Sequence, residues 1–222
     1  MTNTQPLSVL EDFLLLALDE QSGDIWPVSR SVVDCGTACA ALMDLMILHR
    51  VDCDLQHLFV TNAVPTGDTV IDPVLAVLAL DPVGTTRAII DEIRFLADEG
   101  EALRERAMQR LVDRGVVAFR TKKILWIFGS RRTPVVDDRA LRMVRLRLLN
   151  VVLGDEIPHP HDVALVALAD ACGLFHYILS PREMTDAAPR IAAVARMDIL
   201  GRALAEAIVE VEASIAMASG LR

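Results

Sequence analysis

Apolar residues recur at three- and four-residue spacing along most of this 222-residue chain, so the sequence reads as mainly helical. Ser8 followed by Glu11 has the form of a capping box. Val9, Leu10, Phe13, Leu14 and Ala17 continue at helical spacing, and the segment ends near Gly23. A short extended piece with Trp26 and Pro27 comes next. Residues 31–49 are nearly all apolar and rich in small side chains (Cys35, Gly36, Ala38, Cys39, Ala40, Ala41). A helix that is apolar on almost every side is one that other helices surround, which makes this the central helix of the fold. Residues 51–53 and 58–61 read as a small hairpin, and Pro65-Thr66-Gly67-Asp68 as a turn whose Asp68 or Thr69 caps a helix over 70–80. Amphipathic helices follow over 85–97 and 101–114, the second stopped by Gly115. Residues 116–120 and 123–128 are β-rich and form a second hairpin. Further helices are expected from Asp137 to about 153, and over 162–172, 183–195 and 199–218. No repeat, low-complexity stretch or dividing linker interrupts the chain. The expectation is a single, mainly α domain over 1–222, built around the central apolar helix with small β-hairpins.

Composition sharpens this picture. Hydrophobic residues make up 53% and the mean hydropathy is +0.39. Even so, no apolar run approaches the ~20 residues that a spanning helix needs, and residues 1–6 lack the basic start and apolar stretch of a signal peptide. The apolar excess is therefore expected in a buried core or an association surface of a soluble, cytoplasmic protein. Cys35, Cys39, Cys53 and Cys172 form no paired framework and read as reduced packing thiols. Charge is more informative. The net value of −9 hides a strong asymmetry: residues 1–81 hold twelve acidic and two basic side chains, while residues 100–150 hold thirteen basic and five acidic. Two readings of the basic middle stay open at this point. It faces an anionic partner, or its arginines lie on helix faces and pair with the acidic first third.

Motifs for chemistry are missing from the sequence. It contains no phosphate-binding loop, nucleophile elbow, HExxH or CxxC. His159-Pro160-His161-Asp162 is explained as a turn with a helix-capping aspartate. Asp72, Asp81, Asp91 and Glu92 lie on amphipathic helices where carboxylates ordinarily face water. No nucleophile, base and orienter can be assembled, so no enzymatic activity, cofactor or metal is expected. Nucleic acid is not expected either, as no reading helix or aromatic-bearing sheet is evident. Two features stand above this background. One is the hairpin Ile124-Leu125-Trp126-Ile127-Phe128 leading to Arg131 and Arg132, apolar on both faces. It suits a partner subunit or a headgroup interface, where Trp126 and Phe128 would meet the water boundary and the arginines phosphate. The other is the stripe Arg106, Arg110, Arg114, which is expected to be a solvated surface.

Several segments in order resemble the Golgi-phosphoprotein-3-like family. They are residues 7–18 (LSVLEDFLLLAL), the small-residue helix ending LMDLMILHRV, the turn Pro65-Thr66-Gly67-Asp68, the helix beginning Arg104-Glu105-Arg106, the second hairpin, and residues 158–174. The short start, without the basic arm of eukaryotic members, resembles bacterial ones. The resemblance implies an α-helical domain with a protruding hairpin near the membrane that contributes to oligomer contacts. It also implies a peripheral protein that binds phosphatidylinositol 4-phosphate and recruits client proteins. The family's lipid pocket uses an aromatic before the central helix, a cation on that helix and two arginines three apart. Here Arg104 stands at one of these positions, while Ser29, Ala38 and Glu101 occupy the others. Trp26 and Arg30 lie close by in sequence, so the implied headgroup site is Trp26, Arg30 and Arg104, and the implied membrane or oligomer element is Trp126, Phe128, Arg131 and Arg132. The alternative is a self-associating scaffold without a lipid site.

Overall fold

The structure is a computed structural model that describes residues 6–19, 23–117, 138–154 and 157–220. The second expected hairpin, with Trp126, Phe128, Arg131 and Arg132, lies outside the described residues. Those described form ten helices and one small antiparallel sheet, so the fold is mainly α.

The first helix, α1 (Val9–Leu16), starts on the expected capping box: Ser8 Oγ accepts from the Glu11 backbone N–H (3.3 Å), and Glu11 returns the bond to the Ser8 N–H (3.0 Å). All eight of its residues are buried, including Glu11 and Asp12. Next in the chain, α2 (Arg30–Ile47) is buried without a break from Val32 to Leu45 and packs against α1 and four other helices: α4 (Ile89–Ala97), α5 (Gly100–Asp113), α7 (Pro160–Ala171) and α10 (Ile199–Gly220). This is the central helix that its unbroken apolar sequence called for. Its small residues allow the close approach. A Cβ at Gly36 would sit 2.5 Å from Phe13 Cζ and 2.8 Å from Cys172 Sγ, inside any real carbon contact. Near the end of α2, Asp44 reaches back to α1 and accepts from the N–H groups of Val9 (2.8 Å) and Leu10 (3.1 Å). The central helix thus caps the first one, satisfying donors that a helix start leaves orphaned. Burial pushes the Asp44 carboxyl above its ordinary range, against the pull of these two donors.

The sheet pairs β1 (Val51–Cys53) with β2 (His57–Val60), in the register Val51↔Val60, and β2 with β3 (Arg87–Ala88). The third strand corrects the expectation of a helix from residue 85. Residues 87 and 88 pair with β2, and α4 starts only at Ile89, without a side-chain cap. Between the strands, α3 (Asp72–Leu78) follows the Pro-Thr-Gly-Asp turn. Asp72 closes that turn, accepting from Thr66 N (2.8 Å), Thr66 Oγ1 (2.7 Å) and Gly67 N (3.0 Å), while Asp68 accepts from Val70 N (2.8 Å). The remaining helices are α6 (Asp138–Leu153), α8 (Phe175–Ile178) and α9 (Pro181–Ala195); α6 and α9 pack together, and both pack on α7. One buried hydrophobic cluster runs through all these helices, from Val9 to Ile208.

Cys35, Cys39 and Cys172 are buried within this cluster and unbridged. Burial pushes the Cys35 thiol up to about 11 and raises Cys39 and Cys172 as well. Enclosed by apolar side chains, these three thiols serve as small packing groups.

The contact at Gly36 makes a direct test of the core. Gly36→Leu must displace Phe13 or Cys172, and overpacking of this kind costs about 1–3 kcal/mol. A urea midpoint equal to that of the wild type would show that α1, α2 and α7 are not in close contact there.

Candidate functional site

Among the described residues, three clusters of charge join the acidic first third of the chain to the basic middle or to α7. In the first, Arg110 on α5 donates from Nε to Glu11 Oε1 (2.9 Å), from Nη1 to Asp68 Oδ2 (2.5 Å) and from Nη2 to Ser8 Oγ (3.2 Å). One turn on, Arg114 donates to Glu11 Oε2 (2.6 Å). Glu11 is 1% exposed, so its charge is held almost entirely by these two guanidinium groups and its own capping bond. This corrects the reading of the Arg106, Arg110, Arg114 stripe as a solvated surface. Arg110 and Arg114 are anchors that fasten α5 to α1 and to the Pro-Thr-Gly-Asp turn.

In the second cluster, Asp12 on α1 is paired with Arg147 on α6 and lies 2.8 Å from Nε2 of His161 on α7. Arg147 also reaches Asp162 (2.6 Å). Asp162 in turn accepts from the His159 backbone N–H (3.4 Å), completing the helix start that the His-Pro-His-Asp sequence foreshadows. Among the described residues, no group of three or more His, Cys, Asp or Glu side chains is placed to hold a metal ion.

The third cluster contains the implied headgroup residues. Gly100 opens α5 directly against α2: a Cβ there would lie 2.7 Å from Asp34 Cβ. This close approach brings Arg104, one turn further on, onto Asp34 with which it pairs. Arg30 lies one turn before Asp34, pairs with it (3.5 Å), and also pairs with Glu101. Arg30 and Arg104 are thus brought together, but around two carboxylates that balance their charge. Trp26 takes a different role. Its ring stacks on Tyr177 (centroids 5.2 Å apart, planes 12° apart), and its indole N–H donates to Leu16 O (3.2 Å). Tyr177 closes the loop by donating to Pro27 O (3.3 Å). The aromatic therefore pins the segment before α2 to α1 and α8. Beside this cluster runs a groove of about 840 Å³ between α1 and α5, with Leu14, Leu18, Ile25 and Met108 as apolar walls and Arg104, Arg106, Asp24, Glu101 and Glu105 as charged ones. Arg104 lines the groove, while Trp26 and Arg30 are not among its lining residues.

Of the carboxylates expected to face water, Glu92 is buried instead. It is paired with Arg87 (3.4 Å), and burial raises its pKa. Arg87 also bonds Asp81 (2.7 Å), which follows α3, so β3 is tied by charge both to α4 and to the segment after α3.

The three clusters draw on the LSVLEDF helix, the Pro-Thr-Gly-Asp turn, the Arg-Glu-Arg helix and residues 159–162, which lie far apart in sequence. Over residues 9–211 the sequence matches the family model described as Golgi phosphoprotein 3 (GPP34). The chain belongs to that family. A comparison with curated proteins gives no match. In this Golgi phosphoprotein 3 family member the matched span takes in the charged residues of all three clusters and the whole of the groove. The span stops at residue 211, within α10, whose last described turns are exposed.

Sequence reasoning missed Asp34, Gly100 and Tyr177 as partners of the implied site. Asp34 alone left a trace, as one of two acids, with Asp44, on a helix that is otherwise almost wholly apolar.

Because Glu11 is buried, Arg110→Leu should cost about 3 kcal/mol, the low end for breaking a buried pair, since Arg114 still faces Glu11. Chemical denaturation measures this directly. A loss within the ~0–1 kcal/mol of a surface pair would place Glu11 in contact with water.

Proposed function

We propose that this protein is a peripheral membrane-surface protein that binds anionic phospholipid headgroups and acts as an adaptor, a binding role rather than a catalytic one. Membership of the Golgi phosphoprotein 3 family is the observation that carries this reading. Two features agree with it. Among the described residues no helix is long and apolar enough to cross a membrane, as a surface-bound protein requires. The groove beside Arg104 also combines apolar walls with cations, as a site for a lipid headgroup and its glycerol backbone would. Trp26, Arg30 and Arg104 remain the headgroup residues of this proposal, with the hairpin of Trp126, Phe128, Arg131 and Arg132 as its membrane or oligomer element. A phosphate at Arg30 and Arg104 would have to displace Glu101 or Asp34 from them.

That same neutral quartet favours the second reading, a self-associating scaffold without a lipid site. Four charges that already satisfy one another leave no net attraction for an anion.

Flotation with vesicles containing phosphatidylinositol 4-phosphate or phosphatidylserine separates the two. The lipid reading expects binding that weakens as salt is raised, because exposed charges are screened over about 10 Å at 0.1 M ionic strength. It also expects Arg131→Glu with Arg132→Glu to abolish the preference for anionic vesicles. An oligomer indifferent to every vesicle would establish the scaffold instead.

The hairpin proposal is tested by analytical ultracentrifugation. Burying Trp126 and Phe128 between subunits contributes on the order of 1.5–3 kcal/mol per side chain before the costs of association. Trp126→Ser with Phe128→Ser should therefore shift a homo-oligomer toward monomer. A wild type that sediments as a monomer at high concentration removes this role.

A further inference from the structure

The four charges between α2 and α5 sum to zero, but the two pairs are held unequally. Arg104 and Asp34 are both withdrawn from water, with side chains 14% and 13% exposed, and the close approach at Gly100 fixes the backbone of Asp34 against α5. Arg30 and Glu101 form the outer pair, with side chains 65% and 54% exposed. An exposed ion pair is worth little, whereas breaking one withdrawn from water strands a charge. The pair of Arg30 with Glu101 is therefore the one that opens. Its position gives that opening a use. Glu101 lines the groove between α1 and α5 together with Arg104, and it also bonds Arg30, which does not line the groove. Arg30 is the first residue of α2, whose first turn carries no acid, so the positive end of the helix adds to its charge. Asp34 touches both arginines, which puts the two within reach of a single anionic group.

We propose that Glu101 is a built-in competitor for the headgroup: it holds Arg30 as a tethered anion and yields it only to a phosphomonoester. The inference rests on the headgroup-binding reading above and adds what selects the headgroup. A phosphomonoester carries about −1.5 to −2 charges at pH 7 and three acceptor oxygens, more than a carboxylate brings to the two arginines. A phosphodiester, such as that of phosphatidylinositol without a further phosphate, carries a single negative charge. It offers no more charge than Glu101, whose carboxylate is already delivered to Arg30 at high effective concentration by the backbone of α5. A ligand that only equals the tethered group does not displace it. Once displaced, Glu101 turns to water, where more than half of its side chain already lies, so the exchange buries no new charge. Asp34 stays on Arg104 throughout, and its charge keeps the site from attracting every anion.

The test uses the full chain with three probes: phosphatidylcholine vesicles containing phosphatidylinositol 4-phosphate, the same vesicles with phosphatidylinositol instead, and soluble inositol 1,4-bisphosphate. Glu101→Gln is compared with Glu105→Gln, which removes the same charge from an exposed position one turn along α5, outside the quartet. Circular dichroism and melting confirm that both are folded. Wild type is expected to prefer the monoester vesicles. Glu101→Gln should bind the monoester roughly threefold or more tightly, on vesicles and in solution alike. It should gain still more on phosphatidylinositol, so that the preference narrows, while Glu105→Gln matches wild type. If wild type binds and Glu101→Gln binds equally, Glu101 does not compete and only this inference fails. If both substitutions raise binding by the same factor, net charge alone is at work, which overturns it. A gain confined to vesicles moves the effect to the surface charge of the bilayer and also overturns it. Binding by Glu101→Gln alone supports the competition while removing the headgroup reading for the wild type. If neither protein binds any of the three probes, the headgroup reading fails and this inference with it.

Discussion

Two consecutive carboxylates on α1, Glu11 and Asp12, lie in the interior, 1% and 0% exposed, and this is the constraint that most of the architecture answers. An ionised carboxylate removed from water costs several kcal/mol unless cations and hydrogen bonds replace the solvent. A helix turns about 100° per residue, so adjacent acids point in different directions and cannot share a single partner. Glu11 therefore draws in α5 through Arg110 and Arg114, and Asp12 draws in α6 and α7 through Arg147 and His161. Hydrophobic burial supplies the larger share of the stability, but it is indifferent to which greasy helix lies where. Misplacing α5 or α6 would strand a buried charge, and that penalty selects one arrangement.

The same logic explains why the basic middle of the chain is a poor guide to an anionic ligand when taken as a sum. Arg104, Arg110, Arg114 and Arg147 all find carboxylates of the first third or of α7.

The central helix was legible in the sequence because it is apolar on nearly every side, and a helix without a polar face has only one place to go. The capping box of α1, the Pro-Thr-Gly-Asp turn and the first hairpin were legible for a similar reason: their signals are local. The two-residue β3 and the four-residue α8 were not, as elements that short are made by their neighbours and carry no period of their own. Periodicity placed Arg106, Arg110 and Arg114 correctly on one side of α5, but it says nothing of what that side meets. Glu11 is about a hundred residues away, and only the tertiary fold makes them adjacent. Arg104 was placed by resemblance. Its pairing with Asp34 depends on Gly100 letting two backbones touch, a steric fact that no spacing of charges reveals.

The separation of charge along the chain has a consequence for how the protein is made. A ribosome delivers the acidic third first, and the buried carboxylates of α1 must wait for α5, then α6 and α7, before they are neutralised. Asp12 meets His161 across 149 positions. An emerging N-terminal fragment would have to enclose naked charge to collapse, so it gains little by doing so. The core can close only late, when nearly the whole polypeptide has left the tunnel.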